Sequence, residues 1–387
     1  MSESTFLEKM LDGAEVDWKP LGEVFDVFAG GDVPKEALSK IKTEKFNIPI
    51  LSNGIGGRSL YGWTNIPKVK KPSLTISARG TIGWTSYRTE PFFPIVRLLV
   101  LTPKVEMNLR YYYHFMKTIE NDYKVAPAGI PQLTKPMIKD AQLPIPFPND
   151  PEKSLAIQAE IVRILDTFTE LTTELTTELT DRKKQYNYYR DQLLTFEDGD
   201  VEWKELGNVT EINTGQKPSE ILESATDFDY INAGTSRSGY SANSNCEGDI
   251  VTTPSRGQGG IGYVGYQKEP FWLGALCYKM KSKDKDFLIN KYLYYFLQSK
   301  SELLLGLKKE GGVPAVNKSD LAKLQIPVPS PTEQARIVAI LDKFDTLTHS
   351  ISEGLPREIE LRQKQYEYYR DLLLNFPKSE PQTEIVA

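Results

Sequence analysis

The chain of 387 residues has two cysteines, Cys246 and Cys277, and two histidines, His114 and His349. Two distant thiols cannot build a disulfide framework or a zinc cluster, and neither histidine has ligand-like neighbours, which leaves His/Cys metal chemistry without a basis. Long apolar runs are absent too. A membrane helix needs roughly 18 apolar residues, whereas the longest stretch here, Phe92 to Leu101, carries Arg97 inside it. The opening MSESTFLEKM lacks the basic and apolar pattern of a leader peptide. The expectation is a cytoplasmic protein with no membrane contact.

What is present describes a globular chain of two or more domains, with 40% hydrophobic and 11% aromatic residues. The net charge of −5 conceals a segregation: +6 over residues 16–150, −5 over 151–200 and zero over 201–330. A basic block beside acidic segments suits a polyanion-binding domain carried on a scaffold that meets other proteins.

The chain repeats itself. VDWKPLGEV (Val16 to Val24) returns as VEWKELGNV (Val201 to Val209), and EPFF (Glu90 to Phe93) as EPFW (Glu269 to Trp272). RYYYHF (Arg110 to Phe115) matches KYLYYF (Lys291 to Phe296), and GIPQLTK (Gly129 to Lys135) matches GVPAVNK (Gly312 to Lys318). LPIPFP (Leu143 to Pro148) and IPVPSP (Ile326 to Pro331) close the two units. A further pair of blocks follows each unit: QAEIVRILDTF (Gln158 to Phe168) against QARIVAILDKF (Gln334 to Phe344), then RKKQYNYYRDQLL (Arg182 to Leu194) against RQKQYEYYRDLLL (Arg362 to Leu374). The order is domain, helix, domain, helix.

Inside the domains, short runs rich in Val, Ile, Tyr and Thr are punctuated by Gly, Pro, Asn and Ser, with one helical pattern near Leu109 to Ile119 and its counterpart Lys291 to Leu305. Each reads as a mixed α/β domain. The segments Glu152 to Phe196 and Thr332 to Phe376 read as long amphipathic helices. Ile161, Ile164, Phe168, Leu171, Leu175, Leu179, Tyr186, Tyr189 and Leu193 form the stripe of the first, and Ile337, Ile340, Phe344, Leu347, Ile351, Tyr366, Tyr369 and Leu373 that of the second. Gly354, Leu355 and Pro356 must break or kink the second. The simplest partner for each stripe is the other helix, paired antiparallel. Within the first helix, TEL, TTEL and TTEL end at Leu171, Leu175 and Leu179. Each four-residue unit adds about 6 Å of helical rise.

Nucleotide-binding patterns fail on context. GQGGIG (Gly257 to Gly262) is followed by a strand-like run where a dinucleotide fold requires a helix, and GVPAVNKS (Gly312 to Ser319) has Asn317 in place of the second Walker glycine. No methyltransferase Asn-Pro-Pro-aromatic loop, Gly-x-Ser-x-Gly elbow or HExxH is present. Duplex recognition finds better candidates. Arg79 and Arg256 precede glycines at matching turns, where backbone can approach phosphate while a guanidinium meets a guanine edge. The alternative is an arginine paired to a carboxylate within its hairpin. Lys35 and Lys217, the cluster Lys68, Lys70 and Lys71, and the polar loops containing Asn53, Arg58, Thr235, Ser236 and Arg237 are further DNA-binding candidates.

The duplicated layout, with QAEIVRILD and QARIVAILD opening the helices and QYNYYRDQLL and QYEYYRDLLL closing them, resembles the specificity subunit of type I restriction-modification systems over residues 16–376. The resemblance implies two similar mixed α/β target-recognition domains separated by two long α-helices that pair as an antiparallel coiled coil with pseudo-two-fold symmetry. It divides the chain into a short N-terminal helix (1–15), target-recognition domain 1 (16–150), a central helical spacer (151–200), target-recognition domain 2 (201–330), a C-terminal helical spacer (331–376) and a flexible tail (377–387). Each domain would read half of a split, asymmetric site on double-stranded DNA, and the helices would set the unread spacer. The subunit would be non-catalytic. It would recruit two modification subunits, which methylate adenine, and restriction subunits, which translocate and cleave DNA. S-adenosylmethionine, ATP and Mg would lie on those partners alone. Ile161, Phe168, Leu175, Tyr186, Tyr189, Arg190, Ile337, Phe344, Tyr366, Tyr369 and Arg370 would serve helix pairing and modification-subunit docking. The alternatives are the recognition part of a fused restriction or methylation enzyme, and a coiled-coil protein adaptor.

Overall fold

A computed structural model describes residues 15–123, 125, 130–197, 199–224, 228–309 and 313–376. The tail expected over 377–387, and all but Glu15 of the helix expected over 1–15, lie outside the described residues. The chain forms two units, Met1–Glu174 with Ile359–Ala387, and Leu175–Glu358.

In the first domain the order is β1 (Val16–Pro20), α1 (Leu21–Val24), β2 (Phe25–Ala29), β3 (Ile48–Leu51), β4 (Leu60–Thr64), β5 (Ser73–Ser77), β6 (Thr85–Arg88), β7 (Phe93–Pro94), β8 (Leu98–Pro103), α2 (Leu109–Thr118), α3 (Lys135–Lys139) and β9 (Gln142–Pro146). Then α4 runs over Pro151–Leu193. The second domain repeats the series with β10 (Glu202–Glu205), α5 (Leu206–Val209), β11 (Thr210–Thr214), β12 (Phe228–Ile231), β13 (Gly239–Ser241), β14 (Ile250–Pro254), β15 (Gly265–Gln267), β16 (Phe271–Leu273), β17 (Cys277–Ser282), α6 (Asn290–Ser299), α7 (Ser301–Gly306), α8 (Lys318–Ala322) and β18 (Gln325–Val328). The chain then enters α9 (Pro331–His349) and α10 (Gly354–Leu374).

Each domain holds a four-stranded sheet, β2-β8-β5-β6 or β11-β17-β14-β15, a three-stranded sheet, β4-β3-β7 or β13-β12-β16, and a two-stranded ribbon, β1-β9 or β10-β18. The larger sheets are antiparallel, and the pairs β3–β7 and β12–β16 are parallel. Strand periodicity decides what each face covers. Along β8, Leu99 and Leu101 join the cluster containing Tyr112 and Phe115 of α2, while Leu98 and Val100 point the other way and join Leu51 and Phe92. One sheet therefore serves two cores, and its inner strand β5 is buried at all five positions. In the second domain Tyr278 and Met280 take the α6 side, and Cys277 takes the side of Phe271 and Leu273.

The long helices pair antiparallel. In the first unit the start of α4 meets the end of α10, with the rings of Phe168 and Tyr369 stacked at 5.1 Å. In the second unit the end of α4 meets α9, with Tyr189 stacked on Phe344 at 5.8 Å. Such stacked pairs contribute roughly 0.5–1.5 kcal/mol beyond the area they bury. Ile161, Leu165, Ile337 and Leu341 are fully buried, whereas no described residue of 169–185 is, so the stripe holds α4 at its two ends.

Three expectations need correction. Ile351 is 85% exposed, because α9 stops at His349 and Ile351 falls in the link before α10. The interruption expected at Gly354 to Pro356 falls just before them. Gly354, at φ +71°, opens α10, and a Cβ there would lie 2.4 Å from the Thr346 carbonyl oxygen. The helix expected over Lys291 to Leu305 is two helices, since Lys300 (φ −115°, ψ 35°) leaves helical geometry and α7 starts afresh.

Leu341→Ala should destabilise the second unit by about 2–5 kcal/mol through the cavity it leaves. Leu171→Ala, at a 39% exposed site, should change stability by less than about 0.5 kcal/mol. Chemical denaturation followed by circular dichroism measures both.

Candidate nucleic-acid interface

A polar knot ties each domain to the long helices. His114 on α2 is fully buried, with Nε2 2.9 Å from Asp166 Oδ1 on α4 and Nδ1 3.0 Å from the Tyr366 hydroxyl on α10. An ionised carboxylate can only accept, so Nε2 carries the proton and Nδ1 accepts from Tyr366. Arg110 Nε completes the knot at 2.8 Å from Asp166. Burial pushes the Asp166 carboxyl up, but its bonds to His114 and Arg110 outweigh this and hold it below the usual carboxylate range. Burial also wins at His114, lowering its pKa against the pull of Asp166 and with the help of the Arg110 and Arg370 charges.

The second unit repeats the arrangement with other residues. Tyr295 donates to Asp342 on α9, and Lys291 lies 3.5 Å from the same carboxylate. Tyr186 of α4, its hydroxyl pKa pushed up to about 12 chiefly by burial, packs against Phe344 and His349. A glutamine at each helix start adds a second tie. Gln158 Oε1 accepts from Asn108 N at 3.0 Å, and Gln334 Oε1 accepts from Ile289 N at 2.8 Å. The repeated QA-IV block thus places Gln and Asp about two turns apart on one face, toward the domain.

The helix-pairing candidates fall along these seams. Ile161, Phe168, Tyr366 and Tyr369 belong to the core of the first unit, and Tyr186, Ile337 and Phe344 to that of the second. Arg190 and Arg370 each lie beside the next aspartate, Asp191 and Asp371. Leu175 is half-buried on the central stretch of α4, and Tyr189 is 44% exposed despite its stack on Phe344.

The DNA-binding candidates are dispersed over loops. Lys35 opens a 3₁₀ turn, Arg58 sits in another, and Lys68, Lys70, Lys71, Lys217, Thr235 and Ser236 are exposed. Asn53 positions rather than projects: its Nδ2 donates to the Arg79 carbonyl at 2.8 Å. Arg237 is engaged, 3.0 Å from Asp229 and over the Tyr240 ring. Among the described residues no carboxylate pairs with Arg79 or Arg256, which removes the hairpin ion pair set against their DNA-binding reading. Strand β15, not a helix, follows Gly257 to Gly262. No described group of three or more His, Cys, Asp or Glu could hold a metal ion, and no described helix is long and apolar enough to cross a membrane.

Sequence reading missed Lys40 and Lys42, which lie over the Tyr61 and Trp63 rings of β4 at 4.2 and 5.1 Å and form a basic-aromatic edge on the smaller sheet. Their spacing in KIK against YGW, period two in both, was the available signal. It also missed Asp166 and Asp342, although both stand inside the repeated ILD blocks.

The geometry is that of two polar-loop domains, each tied to an antiparallel helix pair. A family model described as the type I restriction modification DNA specificity domain matches residues 15–182 and again 199–361. The EcoR124I/EcoR124II specificity subunit of Escherichia coli is 38% identical over 413 residues, covering 98% of this chain and 99% of that one. The EcoprrI specificity subunit, also of Escherichia coli, is 32% identical, covering 91% and 93%. A solved S subunit of a type I restriction-modification system from M. genitalium shares the fold at a TM-score of 0.64 and 18% identity, over 95% of this chain and 98% of that chain. The chain belongs to the family of type I restriction-modification DNA specificity subunits.

The knot generates a pH dependence. His114 binds its proton less readily folded than unfolded, so its contribution is complete above the unfolded value near 6.5 and is lost as pH falls toward the depressed folded value. Melting of the first unit should therefore move to lower temperature as pH falls below about 6.5, and His114→Gln should flatten that slope. An unchanged slope in the variant would refute the assignment.

Proposed function

We propose that this chain is the non-catalytic reader of a type I restriction-modification complex. Each domain recognises one half of a split, asymmetric site on double-stranded DNA, and the length of α4 sets the unread spacer. Two modification subunits dock along the helical seams that carry Tyr186, Tyr189 and Arg190, and Tyr366, Tyr369 and Arg370. Restriction subunits join them, and S-adenosylmethionine, ATP and Mg bind on these partners in the cytoplasm.

The observation that carries this reading is the pairing of like scaffolds with unlike loops. Strand order, sheet pairing and the aspartate tie recur in both domains. The polar loops differ: Asn53 to Arg58 forms a turn around glycines, while Thr235 to Arg237 pins an arginine to Asp229. Two readers on one plan with different contact loops suit two different half-sites. The spacer reading draws on the central stretch of α4, where no described residue of 169–185 is buried, so its length can change with little loss of packing.

Adenine methylation mapped in cells with and without the gene should reveal one bipartite motif that depends on this chain. Deleting Thr172 to Leu175, about 6 Å of helix, should shorten the spacer by one or two base pairs and leave both half-sites intact. A changed half-site, or methylation at no defined sequence, would refute the proposal.

A further inference from the structure

The turn that leads into β8 carries an unusual residue. Arg97 has φ +73°, one of three non-glycine residues described in the left-handed region. That conformation is costly for a side chain with a Cβ. It is imposed from all sides: Ile95 N donates to the Leu51 carbonyl, Val96 N to the Gly31 carbonyl, and the Arg97 carbonyl accepts from Ala78 N at 2.9 Å. Glycine would satisfy this turn without strain, and arginine stands there instead.

The bond from Ala78 places Arg97 directly beside the next residue, Arg79. Both line one open hollow of about 460 Å³, together with Gly80, Ile82, Ile130 and Pro131. Arg79 is anchored by the bond from Asn53 to its carbonyl, and its Nε is buried with no hydrogen-bond partner. No carboxylate pairs with either guanidinium among the described residues. Two uncompensated positive charges facing one hollow lack an anion.

The second domain supplies an internal control. There Ser255 N donates to the Leu276 carbonyl and Val316 N to the Ser255 carbonyl, as Ala78 N donates to Arg97 and Leu133 N to Ala78. These matched bonds equate Arg256 with Arg79 and Leu276 with Arg97. Leu276 is not among the residues of positive φ, so the strained turn and the second arginine occur together, in the first domain only.

We propose that Arg97 and Arg79 together clamp one DNA phosphate, so that the first domain grips the backbone at a point where the second has no equivalent charge. A phosphate is favoured over a base because one guanidinium already satisfies the two acceptors of a guanine edge, whereas two guanidinium groups match the several oxygens and the charge of a phosphodiester. The proposal rests on the DNA-reading function and names a residue that function would use.

Arg97→Gly tests it, because glycine accepts the native φ and retains the turn while deleting the charge. The complex of this chain with its modification subunits is titrated, over 50 to 200 mM salt, on a duplex bearing a site found by methylation mapping and on a scrambled duplex. Arg97→Gly should lower the slope of log K against log salt by about 0.9 on both duplexes, so the wild type loses about 3.5-fold more affinity than the variant over that range. Arg97→Glu should bind more weakly than Arg97→Gly, and Leu276→Gln should leave the slope unchanged. An unaltered slope in Arg97→Gly, or relaxed methylation at a single base position with the slope retained, overturns the clamp. Failure of the wild-type complex to prefer the mapped site would instead overturn the reading function.

Discussion

The carboxylate of Asp166, with its counterpart Asp342, is the constraint on which each unit depends. A half-buried acid on a long helix gathers a cation and a ring donor from the domain's own helix: Arg110 and His114 in one unit, Lys291 and Tyr295 in the other. Removing Asp166 strands the Nε2–H of the fully buried His114 ring without an acceptor, which costs more than the net value of the bond itself. The knot is also directional. Apolar packing would tolerate a slide of the domain along the helix, but a three-way hydrogen-bonded contact tolerates none, so a reader's loops are held at a defined angle to the rod that carries it.

Around that tie the two units have diverged in ways that follow the demands on each part. Sheet pairing and the glutamine at the helix start are kept because each satisfies buried polar groups that have no alternative partner, and the stacked aromatic pair is kept where the long helices meet. Where side chains face water the constraint lapses. The first domain places Lys40 and Lys42 on aromatic rings, while the second inserts the short helix α7, which has no counterpart among the described residues of the first. Even the knot has changed chemistry: the ring opposite the aspartate is an imidazole in one unit and a phenol in the other, so that one responds to mild acid and the other does not.

Periodicity made the long helices and their seam residues legible. The strict spacing of Ile161, Phe168, Ile337 and Phe344 survives because a helix presents every third or fourth residue to the same neighbour. The same rule misled at Ile351, whose spacing fits the stripe although its backbone has already left the helix. It missed Leu165, which is fully buried one turn beyond Ile161. The polar ties were harder to see, since His114 and Tyr366 lie 252 residues apart and neither shows its partner locally. Candidate DNA contacts were legible only as residue types. Which arginine is pinned, as Arg237 is to Asp229 eight residues away, and which is left without an acid, as Arg79 is, depends on side-chain geometry that residue type alone does not show.

Local chemistry written along the chain was enough to establish the duplication, the alternation of strand-rich and helical segments, and the antiparallel pairing of the rods, because patterns of period two and of three to four encode which faces must be hidden. Folding in three dimensions alone decided which buried acid holds each domain, and that Arg97 stands beside Arg79. Those outcomes turn on distances between residues remote in sequence, and such distances exist only once the sheets and helices have packed.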